Sequence, residues 1–252
     1  MARSKKQQAQ TQISTSTERR QKRRLAYNAD YLTKIEPMTE NQKRIFDAWE
    51  EGKHMFIYGC AGTGKTFCAL YNALKDTIKD NPDYDSVYLV RSLVATREVG
   101  FLPGDLEDKT TMWQVPYKEM VKYMFELSSD EEFDMLYGNL RSQGSITFQS
   151  TSFLRGVTLD NSVIIIDEMQ NLNFHELDSI ITRVGEGSRI IFCGDAYQSD
   201  LVRDKEKNGI HDFMRILEAM PDDFALVEMG VDDIVRSGLV RNYLVTKRAC
   251  GF

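Results

Sequence analysis

With 252 residues, 42% of them hydrophobic, the chain is long and apolar enough for one substantial α/β domain or two small ones. A net charge of −6 excludes a uniformly basic nucleic-acid coat protein, and no apolar run is long enough to cross a bilayer. The four cysteines, Cys60, Cys68, Cys193 and Cys250, form no C-x-x-C pair, which argues against a zinc or disulfide framework and for a reducing cytoplasm.

Taken in chain order, the first segment is a basic tail, residues 1–24, where Arg3, Lys5, Lys6, Arg19, Arg20, Lys22, Arg23 and Arg24 face the single acid Glu18. No apolar stretch follows the charges, so a secretory signal is not expected. Two readings stay open for it: a solvated tail, or an arm for nucleic-acid phosphates. Residues 25–252 then read as a single domain. Thr39 with Gln42 forms a capping box ahead of Ile45, Phe46 and Trp49 at helical spacing. A short apolar run from His54 to Tyr58 reads as a buried strand. Thr66 to Ile78 reads as a helix with Phe67, Leu70, Tyr71, Leu74 and Ile78 on one face. Further strand-like runs begin at Val87, Ile146, Val163, Ile190 and Phe224. Near-continuous apolar strands separated by helical stretches predict an α/β fold, a mainly parallel sheet sandwiched by helices.

Between the first strand and helix lies Gly59-Cys60-Ala61-Gly62-Thr63-Gly64-Lys65-Thr66, a full match to G-x-x-x-x-G-K-[ST] in its proper strand–loop–helix setting. The glycines allow a tight turn whose N–H groups point inward as an anion nest, and the following helix aims its positive end at the same place. Lys65 is expected on the β- and γ-phosphates of ATP, and the Thr66 hydroxyl on Mg2+. Asp167, closing the run Val163-Ile164-Ile165-Ile166, is the expected magnesium carboxylate, and Glu168 the residue that orients or deprotonates the attacking water. Gln198, past the end of the run at Ile190, could sense the γ-phosphate, or serve as an ordinary loop amide. Gln42 is equally divided between an adenine contact and its capping role.

The segments GCAGTGKT, GFLPGDLEDK (from Gly100), FLRGVTLDNSVIIIDEMQN (from Phe153) and IIFCGDAYQSDL (from Ile190) together resemble the PhoH family in the same order. Members of that family are bacterial and bacteriophage P-loop ATPases with a RecA-like core similar to superfamily 1 helicases, and the small size points to the phage branch. The likeness covers roughly residues 37–246. It implies that Asp167 and Glu168 are the Walker B pair, that Gln198 is the γ-phosphate sensor, that Gln42 contacts adenine, and that Arg236 of Asp233-Ile234-Val235-Arg236 is an arginine finger. Cys60 departs from the family's usual proline at a position where variation is tolerated. The nuclease or RNA-binding domain of some relatives has no room here, so ribonuclease activity is not implied.

These readings lead to a cytoplasmic ATPase that couples hydrolysis to helicase-like action on, or remodelling of, single-stranded nucleic acid, RNA ahead of DNA, with Arg91, Thr96 and the basic tail as candidate contacts; an ordinary polar loop fits Arg91 and Thr96 equally well. The alternative is an oligomeric nucleotide-dependent switch or scaffold with a protein partner. A single core also makes a finger supplied by a neighbouring subunit, in a homo-oligomeric hexameric ring, the expected arrangement for Arg236.

Overall fold

The computed structural model describes residues 29–91, 106–154, 156–195 and 204–250. The basic tail, Thr96 and Gln198 lie outside them. A 3₁₀ turn at Ala29–Tyr31 precedes α1 (Glu40–Glu50), β1 (His54–Gly59), α2 (Lys65–Ile78), β2 (Ser86–Arg91) and α3 (Leu106–Met124). Then come α4 (Asp130–Ser142), β3 (Ile146–Ser150), a single turn at Thr151–Leu154, β4 (Ser162–Asp167), α5 (Phe174–Ile181) and β5 (Arg189–Gly194). The chain closes with α6 (Asp204–Glu218), β6 (Phe224–Met229) and α7 (Gly238–Ala249).

All six expected apolar runs are strands of one sheet, ordered β3-β2-β4-β5-β1-β6, and every neighbouring pair is parallel. The side-chain period of two explains how a continuous apolar run serves such a sheet. Every residue of β4 is buried. Val163 and Ile165 enter a core shared with Ile45, Leu74, Val121 and Leu140 from α1 to α4. Ile164 and Ile166 enter a second core with Leu177 and Ile180 of α5 and Phe213 and Leu217 of α6. Helices therefore cover both faces.

On α2 the expected face is buried at Leu70, Tyr71, Leu74 and Ile78, while Phe67 is only half-buried, its ring edge-on to Tyr123 at 5.8 Å. Cys68, Ala69 and Ala73 are buried as well, because α2 is caught between the sheet and α1. The capping box at α1 is only half formed. Thr39 accepts from Gln42 N at 3.2 Å, but Gln42 Oε1 accepts from Met38 N at 2.8 Å, one residue away from the reciprocal partner. At the opposite end of the sheet from the strands' C-termini, the Arg189 guanidinium lies 4.2 Å from the Trp49 ring and donates to Trp49 O at 2.8 Å. Trp49 Nε1 in turn donates to Asp76 Oδ2 at 2.7 Å.

The register brings the strand ends to one edge: Tyr58 is level with Gly194, Gly59 with Met229, and Arg91 with Asp167. Open parallel sheets bind ligands at that edge.

Candidate active site

The glycine-rich loop leaves β1 at this edge. Gly59, Gly62 and Gly64 have φ of +117°, +77° and +83°, the left-handed region that glycine reaches without a steric cost. A Cβ on Gly59 would come within 2.2 Å of Met229 O, so the close approach of β6 requires glycine there too. Cys60 N donates to the same carbonyl at 2.8 Å, and Thr63 Oγ1 donates to Cys60 O at 2.9 Å. Lys65 is buried at the base of this loop, with Nζ donating to Gly59 O at 2.9 Å and Cys60 O at 2.7 Å. Burial pushes the Lys65 ammonium below the ordinary lysine value.

Thr66 and Asp167 meet across the sheet edge, Thr66 Oγ1 donating to Asp167 Oδ1 at 2.7 Å. The other oxygen of Asp167 accepts from the Tyr117 hydroxyl at 2.5 Å. Tyr117 lies on α3 and was not visible as a site residue in the sequence: it follows Pro116 in no recognisable motif, and its partner is remote in the chain. Burial and the Asp167 carboxylate push its phenol well above the ordinary tyrosine value.

Glu168 stands in the left-handed region at φ 53°, a strained conformation for a side chain of this type. Gln170 Nε2 donates to Glu168 Oε2 at 2.5 Å, and Gln170 Oε1 accepts from Asp195 N at 3.1 Å. Gln170 thus joins the end of β4 to the end of β5, a second link the sequence reading missed. Gly194 leaves room for it, since a Cβ there would fall 2.3 Å from Gln170 Oε1. Arg91 Nη2 lies 4.0 Å from Glu168 Oε1.

Gln42 sits beneath the loop with its amide engaged at both ends, Nε2 donating to Thr63 O at 2.9 Å and Oε1 accepting from Met38 N at 2.8 Å. That arrangement braces the loop. Arg236 lies over the loop of its own chain. Val235 N donates to Gly62 O at 3.1 Å, and a Cβ on Gly62 would be 2.8 Å from Arg236 Cγ. Asp233 does not pair with Arg236; its Oδ2 accepts from Asn41 Nδ2 at 2.8 Å and Gly230 N at 2.7 Å. Burial alone would raise the Asp233 carboxyl, but hydrogen bonds from Thr39, Asn41 and Gly230 hold it below the ordinary aspartate range. Farther along α7, the Arg248 guanidinium touches the Cys60 sulfur.

The structure therefore brings Gln42, Lys65, Thr66, Asp167, Glu168 and Arg236 to one edge. The donor set fits the groups expected there. A nest of glycine backbone with a buried ammonium suits phosphate, and the oxygens of Thr66 and Asp167 suit Mg2+, which keeps several waters and takes few protein ligands. Among the described residues no three His, Cys, Asp or Glu side chains converge on a metal-sized site.

The profile of the family described as PhoH-like protein matches residues 34–246. Protein PhoH2 of Bacillus subtilis is 33% identical over 71% of this chain and 40% of its own length. A PhoH-like protein of Mycobacterium leprae is 33% identical over 82% of this chain and 56% of its own, and protein PhoH of Escherichia coli is 30% identical over 81% and 56%. The chain thus spans about half the length of these relatives. A Pif1 protein from Bacteroides solved in complex with ADP-AlF4 is 17% identical over 81% of this chain and 44% of its own, with a TM-score of 0.38, too low to argue from. The match along residues 34–246, with relatives at 30% to 33% identity, carries the conclusion: the chain belongs to the PhoH-like protein family.

Proposed function

We propose that this chain is a magnesium-dependent ATPase whose reaction is run by the residues at the C-terminal edge of the sheet. One observation carries the reading: the buried Lys65 ammonium inside the glycine loop stands next to Thr66, which is hydrogen-bonded to Asp167. Lys65 would exchange its two carbonyl partners for the β- and γ-phosphate oxygens, aided by the loop N–H groups and the N-terminal end of α2. Thr66 and Asp167 would hold magnesium, which supplies charge neutralisation on the phosphates when bound. Glu168 would accept a proton as water attacks the γ-phosphorus and the bond to the ADP oxygen breaks. Gln170 would hold the Glu168 carboxylate toward that water. Gln198 remains the proposed sensor of the γ-phosphate, and Arg236 is proposed to act within its own chain because its side chain lies over Gly62.

Coupling to single-stranded nucleic acid is favoured by Arg91. Its guanidinium is within 4.0 Å of the proposed base Glu168, so a phosphate drawn to Arg91 would alter the surroundings of the base. The reading of an oligomeric switch is favoured by α7, where Leu239 and Tyr243 are 83% and 62% exposed on the same helix whose Arg248 touches Cys60 of the loop. Phosphate release from ATP by the full chain, with and without single-stranded RNA and DNA, tests both. Lys65→Ala should abolish turnover, and retained turnover would sink the assignment. Arg91→Ala should lose stimulation by more than it lowers basal turnover. Stimulation by neither polymer, with a native mass of several subunits, would favour the switch.

A further inference from the structure

We infer that Tyr117 is a positioning residue for Asp167: its hydroxyl fixes one carboxylate oxygen so that the other is presented to Thr66 and the metal. The inference rests on the ATPase reading. It starts from an asymmetry between two hydrogen bonds. Thr66 Oγ1 binds Oδ1 at 2.7 Å from the loop side, and Tyr117 OH binds Oδ2 at 2.5 Å from the side of α3. The Thr66 bond belongs to the phosphate loop and is free to exchange for a cation. The Tyr117 bond has no such freedom.

The ring of Tyr117 is 2% exposed and lies against Phe148 of β3, centroids 5.7 Å apart at 54°. Phe148 is itself covered by the Arg141 guanidinium at 4.8 Å. A phenol clamped this way cannot swing to another partner. A carboxylate is an acceptor only, so Tyr117 must donate, and its single hydrogen is committed to Oδ2. The carboxylate therefore loses rotation about its Cβ–Cγ bond, and Oδ1 stays turned to Thr66. Packing alone does not call for the oxygen, because phenylalanine would fill the same space. Groups that orient a metal ligand from behind commonly change metal affinity or activity by about 10- to 100-fold when removed.

The test is Tyr117→Phe in the full chain, read by equilibrium fluorescence of N-methylanthraniloyl-ADP titrated at a series of magnesium concentrations and again in EDTA. The expected result is about tenfold weaker magnesium dependence of binding, with nucleotide affinity in EDTA unchanged. The kinetic counterpart is a rise in the magnesium concentration for half-maximal turnover that exceeds any fall in kcat. A variant that is less heat-stable but has wild-type magnesium dependence would overturn the inference and leave Tyr117 a packing residue. Should Tyr117→Phe fail to fold, Phe148→Leu loosens the ring while keeping the hydroxyl. It should shift magnesium dependence in the same direction by less, and no shift would overturn the inference. Wild-type protein that binds no nucleotide, or binds it without regard to magnesium, would instead remove the ATPase reading itself.

Discussion

Gly62 shows how little freedom the loop has at single residues. It combines φ +77° with a side chain directly overhead, a Cβ falling 2.8 Å from Arg236 Cγ. Gly62→Ala should therefore cost about 1–3 kcal/mol from backbone strain alone and tilt Arg236 away from the loop. Urea unfolding and nucleotide binding should both report the damage; an unchanged midpoint would show that the loop relaxes elsewhere. Glu168 carries its strain for another reason. At φ 53° its carboxylate is turned to Gln170 and Arg91, so Glu168→Gln should keep nucleotide binding while turnover falls at least 100-fold, the usual scale of general-base loss. Binding lost together with turnover would contradict that role.

At the level of elements, β1 and β5 are joined by more than their ladder. The His54 ring accepts from Ile190 N through Nδ1 at 3.1 Å, which a neutral imidazole can do and a doubly protonated one cannot. Burial, helped by Arg189, lowers the His54 value below the ordinary histidine range. A folded value below the unfolded one means that the contribution is fully present above about pH 6.5 and is lost as the pH falls from there through the folded value. His54→Asn keeps an acceptor without the titration. The urea midpoint of the wild type should fall more than that of the variant between about pH 7.5 and pH 5.5, and parallel curves would exclude His54 as the cause. The same elements show what the sequence reveals. The six strands were legible because runs such as Val163 to Ile166 are buried on both faces and need no alternation. Helix α3 was not, since Pro116 interrupts its pattern. Lys65, Thr66, Asp167 and Glu168 could be named as candidates because the two segments that hold them are short and contiguous in the chain, and the structure places all four at one edge of the sheet. Tyr117 and Gln170 were not, since each acquires its place only when distant strands pair. The position of Arg236 over its own loop was hidden for the same reason: it depends on Val235 reaching Gly62.

For the whole molecule, the clamp of Trp49, Arg189 and Asp76 ties α1, β5 and α2 together at the end remote from the site. Arg189→Lys keeps the charge but loses the flat guanidinium face on Trp49 and the fork that reaches Trp49 O. A loss of roughly 1–2 kcal/mol is expected, measurable by urea denaturation, with nucleotide affinity unaltered because the clamp is far from the loop. The strand order has a consequence for how the chain is made. β1 is among the first strands synthesised, yet its neighbours are β5 and β6, the last two. A nascent chain must therefore carry an apolar strand with both edges open until β5 has been made, and with one edge open until β6 follows. Parallel pairing over such separations is slow, and open edges invite pairing between chains. The glycine-rich loop, which leaves β1 at Gly59 and is anchored on Met229 O, can acquire its shape only once β6 has paired. Recovery of nucleotide binding should then follow the slowest refolding phase, and a chain ended after Glu218 should aggregate, though it retains the whole G-x-x-x-x-G-K-[ST] motif.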